Sequence, residues 1–164
     1  MLRKNSIRTA KNNEGRFVIV ASRYNARFVD SMLRAATAEL RRAGAQVRVV
    51  RVPGAYEIPI VAARLAASSR NPQPATRLSA ILCLGVILRG ETTHAAHIGE
   101  AVSRALMDIQ VAHGVPVIHE VLLLENEPQA KVRCLDPKHN RGHEAAQTAL
   151  AMARVMAELE EKSV

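Results

Sequence analysis

The stretch from Ser79 to Ile98, SAILCLGVILRGETTHAAHI, limits the fold more than any other part of the chain. Ile81, Leu82, Cys83, Leu84, Val86, Ile87 and Leu88 are apolar almost without a break. A half-solvated strand alternates apolar and polar residues, whereas a parallel strand covered on both faces reads as a continuous apolar run. Glycines at 85 and 90 punctuate the run, and Gly90 is expected to allow a backbone excursion that other residues resist. Thr92 or Thr93 can then cap a helix carrying Ile98, Ala101, Val102, Ala105, Leu106 and Ile109 at helical spacing. Open amides at a helix start attract anions, so a phosphate is expected over Gly90 to Thr93. His94, expected one turn into the helix, is placed to exchange protons near neutral pH. The stretch contains neither GxxxxGK[ST] nor GxGxxG, which argues for the phosphate of a small substrate rather than that of a nucleotide.

The flanking sequence repeats the strand-then-helix order. Arg16 to Ala21 is a β-rich run, followed by a helix with Phe28, Met32, Leu33, Ala36 and Leu40 on one face and Gly44 at its end. Gln46 to Val52 forms a second strand broken by Pro53-Gly54, and Ile58, Val61, Ala62 and Leu65 mark the next helix. Ser68 to Thr76 reads as a surface connection. Beyond the central unit, Gly114 stops the chain and Val115 to Leu124 supplies a fourth strand. Asn126, Glu127 and Pro128 open a short helix through Val132. A last amphipathic helix places Ala145, Ala149, Met152, Met156 and Leu159 on one face. Four strands alternating with helices predict an α/β fold: a three-layer α/β/α sandwich around a four-stranded parallel sheet, with ligands at the carboxyl ends of the strands. Ser22 to Asn25, Pro53 to Glu57, Val86 to His94 and His119 to Leu124 are all expected at that edge.

Length and charge bound the function. A chain of 164 residues supports one sizeable core, read as a single domain over residues 15–164 behind a flexible basic extension at 1–14. The net charge is +8, and Arg3, Lys4, Arg8, Lys11 and Arg16 against Glu14 supply half of that excess. With two Phe, two Tyr and no Trp there is little to stack on bases, so small anionic substrates fit better than nucleic acid. No apolar run approaches the roughly 20 residues needed to span a bilayer. Cys83 and Cys134 form no metal or redox motif and read as free thiols of a cytoplasmic protein.

Four fragments, VPGAYEIP (Val52 to Pro59), GVILRGETTH (Gly85 to His94), GVPVI (Gly114 to Ile118) and ENEPQAKVR (Glu125 to Arg133), occur in an order and spacing that resemble the lumazine synthase family. The resemblance runs from about Arg16 to Leu159. It implies a flavodoxin-like fold and condensation of 5-amino-6-(ribitylamino)uracil with 3,4-dihydroxy-2-butanone 4-phosphate to 6,7-dimethyl-8-ribityllumazine, with release of phosphate and water and with no metal or organic cofactor. By that resemblance Tyr24 stacks on the pyrimidine ring, Ala55, Tyr56 and Glu57 hold the ribityl chain and ring, and Val86, Ile87 and Leu88 meet the ring edge through backbone groups. Glu91, Thr92 and Arg133 match the phosphate contacts, and His94 matches the proton-transfer histidine. The chain departs from the family pattern at Glu91, where a smaller residue is usual, at Ala95 and Ala96, at His119 in place of an aromatic, and at Arg141 in place of a substrate-contacting lysine.

The resemblance also implies rings of five in which Tyr24, Tyr56, Glu57 and His94 of one subunit face His119 and Arg133 of its neighbour. The Arg133 to Gly142 connection lacks glycines at 135 and 139 and carries Pro137, which favours a pentamer or a pair of pentamers over a closed shell. Two rival functions follow from the residues. His94 with His97, and His139 with His143, are spaced to share helix faces as a metal hydrolase would require, although no HExxH supports it. The changes at Glu91, Ala96 and His119 would suit a non-catalytic lumazine or flavin carrier, against which the retained His94 and Arg133 argue.

Overall fold

The computed structural model describes residues 15–69 and 77–162. The extension expected at 1–14 and most of the connection expected at Ser68 to Thr76 lie outside the described residues. In chain order the elements are β1 (Arg16–Ser22), α1 (Ala26–Arg42), β2 (Gln46–Val52), a 3-10 turn (Ala55–Glu57) leading into α2 (Ile58–Ser68), β3 (Ala80–Leu88), α3 (His94–His113), β4 (Val117–Leu124), α4 (Glu127–Ala130) continuing into a π-type turn (Lys131–Leu135), and α5 (Arg141–Glu161). The four strands form one sheet in the order β2-β1-β3-β4, and every pairing is parallel. This is the expected flavodoxin-like α/β arrangement.

Alternation along the strands divides the core in two. Phe17, Ile19 and Ala21 of β1 and Ala80, Leu82, Leu84 and Val86 of β3 pack against Met32, Leu40, Ala145 and Ala149 from α1 and α5. Val18 and Val20 with Ile81, Cys83 and Ile87 turn to the other face, against Ile58, Ala62, Val102 and Leu106 from α2 and α3. Each fully buried Leu, Ile or Phe contributes about 1.5–3 kcal/mol relative to exposure, so a strand lined with them on both faces holds the helical layers to the sheet. β3 is buried from Ala80 through Ile87, as its apolar run requires.

Element ends follow local chemistry. Gly44 and Gly114 take left-handed backbone (φ 82° and 65°) at the ends of α1 and α3, a conformation that costs glycine least. The side chain of Asn126 accepts from the Gln129 amide at 2.9 Å and starts α4 with Pro128 in its first turn. Two expectations are corrected. Gly90 does not take a left-handed conformation, and a side chain there would meet nothing within 4 Å, so its turn makes no demand for glycine. His94 is the first residue of α3 rather than one turn in, because the helix begins immediately after Thr93. Leu159, near the end of α5, is 56% exposed.

The start of α5 is the tightest joint. Asn140 is buried and caps the helix: its Oδ1 accepts from the Gly142 amide at 2.9 Å while its Nδ2 donates to the Cys134 carbonyl at 2.5 Å. Gly142 lies against α1 so closely that a Cβ would stand 2.0 Å from the Met32 carbonyl oxygen. Beside it the Arg141 guanidinium makes a two-pronged contact with Glu120, Nε to Oε2 at 3.0 Å and Nη2 to Oε1 at 2.7 Å, and also pairs with Glu144. Glu120 is almost wholly buried on β4, and burial pushes its carboxyl pKa up while Arg141 pulls it back.

Two stability outcomes follow. Gly142→Ala forces α1 and α5 apart against backbone, and should cost at least the upper part of the about 1–3 kcal/mol typical of overpacking, read as a lower urea midpoint; an unchanged midpoint would refute the close crossing. Arg141→Met leaves Glu120 buried without its cation, so its folded pKa rises further above the unfolded value of about 4.3. The loss, roughly 3 kcal/mol at pH 8, should be fully present above the folded pKa and should fade as pH drops through it, because a protonated Glu120 carries no charge to bury. Urea midpoints at pH 8 and pH 5, at one protein concentration, check this, and a deficit equal at both would mean that Arg141 acts only by packing.

Candidate functional site

The strand order places the switch point between β1 and β3, where the connections leave in opposite directions and ligands of such sheets bind. A cleft of about 690 Å³ opens there, within the range of small-molecule sites. Tyr24, Ala55, Tyr56, Glu57, Val86, Ile87, Leu88 and His94 all line it. Among them Tyr24, Tyr56, Glu57 and His94 are the four that the resemblance expects on one subunit's side of a shared site.

The cleft is shaped by contacts that span the sequence. Asn25 sits in the left-handed region (φ 56°), which an asparagine tolerates, and its Nδ2 donates to the Val86 carbonyl at 2.7 Å. That bond ties the turn after β1 to the end of β3 and occupies one lone pair of a carbonyl expected to meet the substrate ring. Backbone amides of Arg23 and Tyr24 donate to the Pro53 carbonyl at 3.0 Å, joining the turns after β1 and β2. Gly54 lies between the two side chains that follow from these turns: a Cβ there would meet the Tyr24 ring at 2.8 Å and Glu57 Oε2 at 2.9 Å. The Glu57 carboxylate accepts from the Gly54 amide through that same Oε2 at 2.9 Å, which fixes the carboxylate and leaves its other oxygen to the cleft. Tyr24 and Tyr56 are 68% and 64% exposed, so each offers an open ring face.

At the start of α3, Glu91, Thr92, Thr93 and His94 are all exposed. Thr93 occupies the cap position without a side-chain bond, and Thr92 Oγ1 accepts from the His94 amide at 3.4 Å. The helix thus begins with open amides facing solvent, and an exposed Glu91 carboxylate can turn away from an anion held there. Glu91 and Thr92 sit beside the cleft rather than among the residues that line it.

Arg133, His119 and Arg141 lie elsewhere. Arg133 lines a separate hollow with Leu124, Pro128, Gln129, Val132 and His139, and forms no ion pair among the described residues. His119 was expected at the carboxyl edge, but its register partner is Cys83 in the middle of β3, so it sits well back from the strand end on the outer strand. Arg141 is committed to Glu120 and Glu144. Within one chain Arg133, His119 and Arg141 therefore stand apart from the cleft residues, each with its own surroundings. The metal reading loses its geometry: His139 lies in the turn before α5 and not on a helix with His143, and among the described residues no three or more His, Cys, Asp or Glu side chains converge.

Asn25 and Gly54 lie in segments expected at this edge and shape the cleft, whereas His97, Ile98 and Ala101 of α3, which complete its wall, fall outside those segments. The Asn25 position and the Pro53-Gly54 pair do carry turn signals in the sequence, but which carbonyl or ring they touch depends on strand register. The free thiols are not chemical candidates, because burial raises the pKa of Cys83 strongly and that of Cys134 to about 11, keeping both protonated.

Residues 14–157 match the sequence model of a family described as 6,7-dimethyl-8-ribityllumazine synthase. The chain is 40% identical over 147 residues to a 6,7-dimethyl-8-ribityllumazine synthase of Stenotrophomonas maltophilia, covering 88% of this chain and 90% of that protein. It is 38% identical over 144 residues to the protein of the same name from Xanthomonas campestris pv. campestris, covering 86% and 89%. With the matched region spanning every described strand and the cleft between them, the chain belongs to the 6,7-dimethyl-8-ribityllumazine synthase family.

Proposed function

We propose that this chain condenses 5-amino-6-(ribitylamino)uracil with 3,4-dihydroxy-2-butanone 4-phosphate to form 6,7-dimethyl-8-ribityllumazine, releasing phosphate and water, in the biosynthesis of riboflavin. The observation that carries the reading is the single cleft holding Tyr24, Tyr56, Glu57, Val86 to Leu88 and His94. An open aromatic face suits a pyrimidine ring, a fixed carboxylate suits hydroxyl or N–H donors, and strand-end backbone groups suit the ring edge. His94 moves protons as the amine attacks the ketone, as phosphate leaves and as the ring closes. The start of α3 at Glu91 and Thr92 receives the phosphate from one side. Arg133 grips it from the other, its planar fork able to make two charge-assisted bonds.

Because Arg133 and His119 stand apart from the cleft in one chain, the complete site is assembled between neighbours in a closed ring, each subunit lending its cleft on one side and its Arg133 on the other. A pentamer or a pair of pentamers, the assembly that the resemblance implies, supplies contacts of this kind. Arg141, held by Glu120, supports that second surface rather than reaching substrate alone.

Purified protein given both substrates should develop lumazine fluorescence in step with phosphate release; binding of substrate with neither fluorescence nor phosphate release would favour a carrier. His94→Ala should lower turnover by about 10- to 1000-fold without abolishing it, because holding the two substrates together remains. An undiminished rate would remove His94 from the chemistry.

Arg133→Ala should chiefly raise the KM for the phosphate substrate, since that group is bound before chemistry. A His94→Ala chain and an Arg133→Ala chain, each impaired alone, should complement when unfolded together and reassembled, with about a quarter of contacts restored under random ring assembly. Mixed rings, verified by mass, that stay at the parental average would place both residues in one chain's site.

A further inference from the structure

Nothing in the family pattern gives a part to Ser103, in the middle of α3. We infer that Ser103 is a positioning residue that clamps the His119 ring in its neutral form, so that the histidine meets substrate as an aromatic face and not as a hydrogen-bonding or charged group. This deepens the functional reading above and rests on it, because His119 reaches substrate only if it faces a neighbour's cleft.

The hydrogen bonds around the ring leave one arrangement of protons. The Val121 amide can only donate, and it points at His119 Nδ1 at 3.1 Å, so Nδ1 must carry a lone pair. A neutral ring then bears its proton on Nε2, 2.7 Å from Ser103 Oγ. The serine hydroxyl receives that proton's bond and directs its own to the Gly99 carbonyl, also at 2.7 Å. Amide, imidazole, hydroxyl and carbonyl thus form a chain in which every donor has one acceptor, and both ring nitrogens are used inside the subunit. A second proton on the ring would set an N–H on Nδ1 against the Val121 N–H. What remains for an external ligand is the ring face and its C–H edge, which is what a phenylalanine would present.

The surroundings favour the same state. His119 is exposed in the single chain, and partial desolvation of its ring lowers its pKa, with no neighbouring charge contributing to that shift. On α3, His97, Glu100, Arg104 and Asp108 line a separate shallow pocket, with Arg104 paired to Glu100 at 3.1 Å. Across the register on β3 stands the Cys83 thiol, kept protonated by burial. The next residue on β4, Glu120, is bonded to Arg141, whose α5 packs on the opposite layer. Removing Ser103 would free the ring to flip, which takes Nδ1 away from the Val121 amide and opens the ring to protonation.

The test uses the whole assembled protein with isotope-labelled histidine. In the wild type the His119 ring should show the Nε2–H tautomer and protonate below the ordinary pKa of about 6.5; in Ser103→Ala the pKa should rise toward about 6.5 and the tautomers should mix. Ser103→Thr, which keeps the hydroxyl, should restore the wild-type titration. In kinetics Ser103→Ala should raise the KM for the uracil substrate about two- to tenfold, the equivalent of one lost hydrogen bond, with a smaller change in kcat. The same substitution made on top of His119→Phe should have no effect, since that ring has no proton to place. An Nδ1–H tautomer in the wild type, an unshifted titration in Ser103→Ala, or an equal KM effect in the His119→Phe background would overturn the inference. Failure of the wild type to make lumazine would sink the functional reading instead, and the ring titration would still decide whether Ser103 governs the tautomer.

Discussion

The burial of β3 on both faces is the constraint on which the rest of the molecule depends. A strand with no polar side of its own must pair on both edges and be covered above and below, and β1 and β4 supply the edges while α1 with α5 and α2 with α3 supply the covers. Its carboxyl end then has only one way out, into the turn that starts α3. Val86 to Leu88 and His94 are thereby set at the same rim, 6 to 8 residues apart in the chain but on one wall of one cleft. The cleft is a consequence of how the core closes, and Val86 and Ile87 belong to the core and to the cleft wall at once.

What was legible in the sequence was whatever depends on nearest neighbours. The continuous apolar run gave β3, alternation with arginines gave the half-exposed β2, and the Asn126-Glu127-Pro128 signal gave α4. Helical spacing was less informative about depth: Ile98, Ala101 and Ala105 sit on the expected face of α3, yet only Val102 and Leu106 of that set are buried. Leu159, exposed near the end of α5, makes the same point: periodicity names a face without saying whether anything lies against it. The candidate cleft residues were reached through family motifs, and their convergence required the fold.

Register was the quantity the sequence could not supply. His119 is expected at the carboxyl edge with the rest of the segment to Leu124, but pairing with Cys83 sets it back near the start of the sheet's outer strand. The same shift brings it under Ser103, sixteen residues earlier on a different element. Asn25 to Val86 and Arg141 to Glu120 are contacts of this kind, 61 and 21 residues apart, and local pattern holds no trace of either. Each involves a polar group that would be costly to leave unpaired, so they become readable only when burial and neighbours are known together.

β4 shows how one short strand can serve two chemically opposite purposes. Successive residues point to opposite faces, so His119 turns toward α3 while Glu120 turns toward α5. On one side a neutral ring has both nitrogens occupied; on the other a buried carboxylate is held by a guanidinium at two points. A slip of one residue would exchange them, placing the carboxylate beside Ser103 without a cation and leaving Arg141 opposite an imidazole that cannot neutralise it. The polar groups on β4 therefore fix its register more sharply than its apolar residues do, because Val117, Val121 and Leu122 would tolerate either face. On the reading proposed above, that register also decides which ring one subunit offers to the next.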